Sequence, residues 1–250
     1  MSNSASMLPL PSRPTPGANR LLSFLPAIAR DRLRTAGNRV VLRRGEILFH
    51  SGNRAGHVWF PLTGVISLFV VMKDGRGLDV ANIGFEGVLG AWETLGGSRT
   101  GYEAVVHVEG EALQIPAQRF VQVFRNSRVI RRRLLRYAEV CLFQAERSAA
   151  CNGLHDSEER LARWLLHTQD RVQQDRIPLT QEFLAAMLGV RRPTISAAIW
   201  QLERAGAITH DRGIVKIVDR ETLEHISCED YVAIRERFED FFASPQVADH

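Results

Sequence analysis

Residues 188–208, LGVRRPTISAAIWQLERAGAI, place a glycine turn, two arginines and a proline directly before a helical pattern. Apolar side chains recur there at positions i, i+3, i+4 and i+7, which is typical of an amphipathic helix packed on a core. The apolar stripe consists of Ile195, Ala198, Ile199 and Leu202. The opposite face carries mostly short or hydrogen-bonding side chains and is free for a partner.

A second helix is predicted immediately upstream, in PLTQEFLAAMLG. Thr180 can cap its N-terminus, and Gly189 can adopt the left-handed conformation that ends a helix. Ala185 supplies the small side chain that two closely crossing helices require. Two helices joined by a tight turn are typical of a helix-turn-helix, whose second helix enters the DNA major groove.

The next segment, GAITHDRGIVKIVD, alternates apolar and polar residues around an Asp-Arg-Gly turn, so it is predicted to be a β-hairpin, the wing of a DNA-binding domain. We expect Arg192 to read a guanine bidentately, and Arg191 and Thr194 to contact phosphates. The candidate DNA-binding residues are Arg191, Arg192, Pro193, Thr194, Ser196, Ala197, Trp200 and Arg212. The alternative for the two helices alone is a surface hairpin with solvated arginines.

Length, charge and cysteine content limit the class of protein. The 250 residues suffice for two domains, and the net charge of +4 agrees with a nucleic-acid partner without requiring one. Cys141, Cys151 and Cys228 form no CxxC motif, no metal-binding box and no even disulfide set, which favours a reducing cytoplasm. We expect no membrane span and no signal peptide, because no apolar run is long enough.

The chain divides into four predicted segments. Residues 1–20 are expected to be a disordered tail. Residues 21–116 combine short helices with regularly spaced strands, which are typical of an antiparallel β-roll or jelly roll. Residues 117–152 are predicted to be a helical connector with a dimerisation helix, and residues 153–250 a winged helix-turn-helix domain. The predicted fold class is therefore α+β.

The long helix carries an apolar seam that suits a dimer. The seam consists of Ile130, Leu134, Ala138, Cys141, Leu142 and Ala145. The alternative is a helix that packs only on its own β-roll. The hinge to the DNA-binding domain is expected at Asn152-Gly153, and Asp156 or Ser157 can cap the helix that follows.

A β-roll, a long helix and a winged helix-turn-helix, in this order, resemble the Crp/Fnr family of bacterial transcription regulators. The resemblance covers roughly residues 21–225 and rests on RRGEILFHSGNRAGHVWFPLTGVISLF and LTQEFLAAMLGVRRPTISAAIWQLERAGAI. It implies a homodimer that binds palindromic double-stranded DNA in response to a signal in the β-roll. Arg192 matches the family's base-reading arginine. Pro193 and Ala197 replace a base-reading glutamate and a second arginine, so a different operator is expected.

The resemblance also implies a cyclic nucleotide pocket, whose phosphate cassette corresponds to IGFEGVLGAWETLGGSRTGYEAVV. Val88 stands at the family's carboxylate position, and the arginine position falls near Gly101 and Tyr102. A shifted loop can still offer Arg99, but cyclic nucleotide binding of the ordinary kind is disfavoured and no effector is assigned. The candidate ligand-binding residues are Glu86, Gly87, Val88, Leu89, Gly90, Arg99 and Thr100.

Other sensors and other classes of protein fit less well. An iron–sulfur cluster needs about four cysteine thiolates, whereas the first cysteine of this chain is Cys141. Haem ligation by His57 or His107, and redox sensing by Cys141 or Cys151, are weaker alternatives. A cupin enzyme needs a His-x-His motif, so neither a metal site nor catalysis is expected. The remaining rival is a cyclic nucleotide-binding regulatory module that acts through protein contacts rather than DNA.

Overall fold

The computed structural model describes residues 17–73 and 77–243. Most of the predicted tail, residues 1–16, lies outside the described residues. Asn19, which the prediction also placed in the tail, is instead buried, caps the first helix and donates to two backbone carbonyls. The folded part therefore begins before residue 21.

The N-terminal domain is an antiparallel β-roll, which confirms the predicted fold class. Its strands are β1 (Asn38–Leu42), β2 (Ile47–Phe49), β3 (His57–Pro61), β4 (Val65–Val71), β5 (Gly77–Ile83), β6 (Glu103–Val108) and β7 (Gly110–Pro116). They form two sheets with the orders β1-β7-β3 and β2-β6-β4-β5. The helices of this half are α1 (Arg20–Ser23), α2 (Ala27–Ala36), α3 (Ala91–Gly96), α4 (Ala117–Arg125) and α5 (Arg128–Leu154).

Helix α5 has two apolar faces, of which only one belongs to the protein's own core. Ile130 and Leu134, which the predicted dimer seam included, are buried in that core. Leu135 and Leu142, by contrast, are 62% and 60% exposed. They belong to a strip with alternating spacings of three and four residues, the pattern of a coiled-coil seam. This α5 strip consists of Leu135, Ala138, Leu142, Ala145 and Ala149.

The hinge lies slightly further along the chain than predicted. Helix α5 continues through Asn152-Gly153 and ends at Leu154. The next helix, α6 (Ser157–Val172), begins with a capping box. The side chains of Asp156 and Glu159 each accept a hydrogen bond from the backbone N–H of the other residue. The break therefore falls where this cap starts a new helix, at residues 155–156.

The C-terminal half contains the predicted winged helix-turn-helix. After α6 come β8 (Arg176–Pro178), α7 (Gln181–Leu188), α8 (Arg192–Arg204), β9 (Ile208–Asp211), β10 (Ile214–Ile217) and α9 (Arg220–Ile226). The three strands form one antiparallel sheet with the order β8-β10-β9. Helices α6, α7 and α8 share one apolar core with this sheet.

The last helix, α10 (Asp230–Ala243), departs from the predicted domain division, which assigned residues 153–250 to the DNA-binding domain. Most of its apolar face packs on the N-terminal half, where Phe238 and Phe241 contact the ring of Tyr137. Arg20 of α1 also forms an ion pair with Glu239, with a nitrogen–oxygen distance of 2.6 Å. Helix α10 thus packs on the N-terminal half and is joined to α1 by this ion pair. Within residues 17–73 and 77–243, no helix is both long and apolar enough to cross a membrane.

Candidate nucleic-acid interface

The local signals that position α8 are present as the sequence predicted. Thr180 caps α7 by accepting a hydrogen bond from the backbone N–H of Phe183. Gly189 ends α7 with a φ of 63°, a left-handed conformation that suits glycine. Helix α8 begins at Arg192, with Arg191 as its N-cap and a proline in its first turn. The prediction of two helices joined by a tight turn is confirmed.

The outward face of α8 is open to solvent, whereas its apolar stripe is buried in the domain core. Ser196 is half-buried, and Trp200 is 57% exposed with the guanidinium of Arg204 over its ring. The remaining candidate residues on this helix are exposed, namely Arg191, Arg192, Pro193, Thr194 and Ala197. A continuous face of small and basic groups is thus accessible to a partner.

Two contacts with α7 orient side chains at the start of this face. Nη1 of Arg192 lies 2.9 Å from a carboxylate oxygen of Glu182, and both side chains are mostly exposed. Oγ of Ser196 lies 2.9 Å from the side-chain oxygen of Gln181. An exposed ion pair contributes only about 0–1 kcal/mol, so a stronger partner can displace Glu182 from Arg192.

The wing is a tight hairpin between β9 and β10, as predicted. Arg212 and Gly213 have φ angles of 47° and 76°, and two central residues with positive φ fit a two-residue hairpin turn. Arg212 is exposed at the tip of the turn, beyond the paired residues Asp211 and Ile214. The tip of the wing therefore presents the cationic side chain of Arg212 to solvent.

The winged domain docks on the β-roll through α6 and α7, not through α8. The ring of Phe183 stacks on His107 with a centroid distance of 4.2 Å, and Trp164 Nε1 donates to Asp79 at 3.3 Å. Burial raises the pKa of Asp79 to about 7. Burial and the positive charge of Arg44 lower the pKa of His107 to about 3. Both groups are therefore neutral in the docked arrangement over a range of pH around 5.

A buried ion pair between Arg171 and Glu86 completes this interface. Nε of Arg171 in α6 donates to Oε1 of Glu86 at 2.7 Å, and both side chains are largely buried. The same oxygen accepts a hydrogen bond from the backbone N–H of Gly84. Glu86, a candidate ligand-binding residue, therefore holds the two domains together.

The other candidate ligand-binding residues serve the fold of the β-roll. Val88 and Leu89 are buried among core side chains. Arg99 donates to the backbone carbonyl of Gly52 at 2.8 Å, and the hydroxyl of the buried Thr100 donates to that of His50.

The structure favours glycine over larger residues at Gly87 and Gly90 of the cassette. A Cβ atom at Gly87 would lie 2.3 Å from the hydroxyl oxygen of Tyr137, so the two chain segments approach closely there. Gly90 has a φ of 80° and starts α3. The ribose and phosphate of a cyclic nucleotide need a carboxylate and a guanidinium. In this structure Glu86 pairs with Arg171, and Arg99 donates to the backbone carbonyl of Gly52.

Sequence reasoning missed several residues that matter in the structure. Trp164, Arg171 and Phe183 carry the domain interface, whereas apolar periodicity and capping residues indicated only their helices. Cys151 and Cys228 lie 77 positions apart in sequence, yet their sulfur atoms lie 3.4 Å apart. The sequence signals for this contact were a Cys-x-x-x-His segment at residues 151–155 and a Cys-x-Asp segment at residues 228–230. His57 and His107, the candidate haem ligands, instead contact Trp59 and Phe183.

Family models match both halves of the chain. A cyclic nucleotide-binding domain matches residues 39–127, and a Crp-like helix-turn-helix domain matches residues 159–226. No match was found among curated protein sequences.

Solved structures with the same fold come from several bacteria. FixK2 from Bradyrhizobium japonicum has a TM-score of 0.65 and 18% identity over 77% of this chain and 98% of its own. The c-di-GMP responsive global regulator CLP from Xanthomonas campestris has a TM-score of 0.60 and 18% identity over 77% and 99%. A putative cAMP-binding regulatory protein from Silicibacter pomeroyi has a TM-score of 0.58 and 23% identity over 82% and 93%.

Proposed function

Since the chain belongs to the Crp/Fnr family of DNA-binding transcription regulators, we propose that α8 enters the major groove with its N-terminus first. Arg192 reads a base, Arg191 and Thr194 contact phosphates, and Arg212 of the wing contacts the adjacent backbone. The observation that carries the proposal is the exposed outward face of α8, which stays free while α6 and α7 dock on the β-roll. The rival module that acts through protein contacts is not favoured.

The DNA contacts can be tested with variants of the two arginines. A site is first selected from a random DNA pool, and binding to that site and to its single-base variants is then titrated against salt. Arg192→Ala is expected to lose about 1–3 kcal/mol of discrimination at one base pair of each half-site. Arg191→Ala is expected to weaken binding to all sequences alike and, because the change occurs twice in a dimer, to lower the salt slope by about two.

The matched control removes an exposed arginine from the N-terminal domain. Arg119→Ala on α4 changes the net charge equally but leaves the proposed interface intact. It should bind like the wild type. If Arg191→Ala and Arg192→Ala also match the wild type on selected and random DNA, the assignment of α8 is wrong.

The functional unit of this proposal is a homodimer held by the exposed α5 strip. Leu142→Asp places a charge at its centre, and burial of a leucine contributes about 1.5–3 kcal/mol. Because the change occurs twice in a dimer, self-association should weaken at least about a hundredfold, which analytical ultracentrifugation measures. Val41→Asp, an equivalent change at an exposed position of β1, serves as control. Unchanged sedimentation of Leu142→Asp would refute the seam.

The proposal also covers the cellular compartment of the regulator and the kind of signal that its β-roll senses. The regulator acts in the cytoplasm, and its β-roll senses rather than catalyses. CLP is described as c-di-GMP responsive and the Silicibacter pomeroyi protein as putatively cAMP-binding. We propose that this chain does not bind cyclic AMP in the ordinary pocket, because Glu86 is engaged by Arg171 and Val88 is buried. Repeating the DNA selection with cyclic AMP and with c-di-GMP tests this point.

A further inference from the structure

A second cluster of reactive side chains lies where α5 ends and α10 begins. Cys151 is in the last turn of α5, and His155 follows directly as its C-cap. Asp230 is the first residue of α10, and Cys228 lies two residues before it. The four potential ligand atoms of these residues all lie within 4.8 Å of one another. We propose that Cys151, His155, Cys228 and Asp230 form a binding site for a zinc ion.

Three of the six distances among these atoms are close to the edges of a coordination tetrahedron, and all six are within 4.8 Å. The two sulfur atoms of Cys151 and Cys228 are 3.4 Å apart, and Cys228 Sγ lies 3.8 Å from Asp230 Oδ2. That oxygen lies 3.5 Å from Nδ1 of His155. Zinc bonds of about 2.3 Å to sulfur and about 2.0–2.1 Å to nitrogen or oxygen give tetrahedral edges of about 3.3–3.8 Å. The four atoms are thus close enough together for one zinc ion to bind them with only small side-chain movements.

Burial and the surrounding contacts also fit a metal site. Cys151, Cys228 and Asp230 are 0%, 4% and 2% exposed. Nδ1 of His155 is buried and faces the cluster, 3.5 Å from Oδ2 of Asp230. Nε2 of the same ring lies 3.2 Å from the carboxylate of Glu229. A carboxylate on the far nitrogen is the usual support of a metal-bound histidine, because it fixes the tautomer and the ring orientation.

The chemistry of the donor set selects zinc over other cations. Two thiolates and an imidazole in tetrahedral geometry favour zinc, whereas magnesium and calcium prefer oxygen ligands in larger coordination shells. Binding displaces the protons of the two thiols. Two thiolates, a carboxylate and Zn²⁺ leave one negative charge, and Arg147 faces it, with Nε 2.5 Å from Oδ1 of Asp230.

The position of the site indicates a structural role. Four protein ligands leave no open coordination position, which is typical of structural rather than catalytic zinc. The ion would join the end of α5 to the start of α10, directly beside the hinge at residues 155–156. It would thereby restrict how α6 and the winged domain leave α5.

The test uses the full-length chain, purified under reducing conditions without chelators. We expect about one zinc ion per chain by mass spectrometry of the elements. Cobalt substitution should produce thiolate-to-metal charge transfer and the intense visible bands of tetrahedral coordination. Cys228→Ser should lose both signatures. Cys141→Ser should keep them, because Cys141 lies about 15 Å away along α5.

A second measurement needs only the wild-type protein, so it does not depend on how a variant folds. Zinc should protect Cys151 and Cys228 from alkylation, and a chelator should expose them and lower the midpoint of thermal unfolding. The proposal is overturned if reduced wild-type protein takes up cobalt without thiolate charge transfer, or if chelation changes neither alkylation nor the midpoint. A Cys151–Cys228 disulfide in protein purified without oxygen would also overturn it.

Discussion

Replacing Glu86 by glutamine is expected to release the winged domain from the β-roll. The change removes the negative charge but keeps the shape, so Arg171 retains its buried position without a carboxylate. Breaking a buried ion pair by removing one partner costs about 3–5 kcal/mol. The docking equilibrium should therefore shift by about two to four orders of magnitude. Fluorine NMR of the fluorotryptophan-labelled chain measures the shift, because Trp164 is buried between the domains.

Two further variants separate the buried pair from a general charge effect. Glu109→Gln removes an exposed carboxylate at the turn between β6 and β7 and should leave docking unchanged. Combining Glu86→Gln with Arg171→Met removes both partners, which is often close to neutral. The double variant should dock better than Glu86→Gln alone. If it docks equally poorly, the charge of Arg171 is not what destabilises the single variant.

The helix-turn-helix was predictable because its signals are local. Thr180, Gly189 and the four-residue apolar stripe of α8 lie within 23 consecutive residues, and each acts through backbone geometry or periodicity. The docking interface was not predictable in this way. Glu86 and Arg171 are 85 positions apart, and no local rule pairs them. The glycine-rich run around Glu86 instead resembled a ligand cassette.

The α5 seam shows a second limit of sequence reasoning. Ile130 and Leu134 point to the protein's own core, whereas Leu135 and Leu142 point to solvent. One residue turns a helix by about 100°, so a helix with apolar residues on two faces does not reveal which face its own domain covers. The domain on which α10 packs could not be predicted for the same reason. An amphipathic face shows that a helix packs on an apolar surface, but it does not identify that surface.

Docking is also expected to depend on the ionisation of Asp79. Burial raises the pKa of Asp79 to about 7 from an ordinary value of 3.8. The protonated form is therefore the one that favours docking. This contribution is fully present below about pH 4 and is lost as the pH rises towards 7, by up to about tenfold per pH unit. His107 acts in the opposite direction, because its lowered pKa makes docking weaker as the pH falls below about 6.5.

Asp79→Asn isolates the carboxylate from the histidine, because it keeps an amide of similar shape that cannot ionise. The ratio of the wild-type to the variant docking constant cancels the contribution of His107. It should fall steadily between about pH 4 and pH 7 and level off above that range. The fluorine signal of Trp164 gives both constants in the same buffers. A ratio that does not change with pH would mean that Asp79 is hydrated in the docked state. The pH dependence of docking would then have to come from a group other than Asp79.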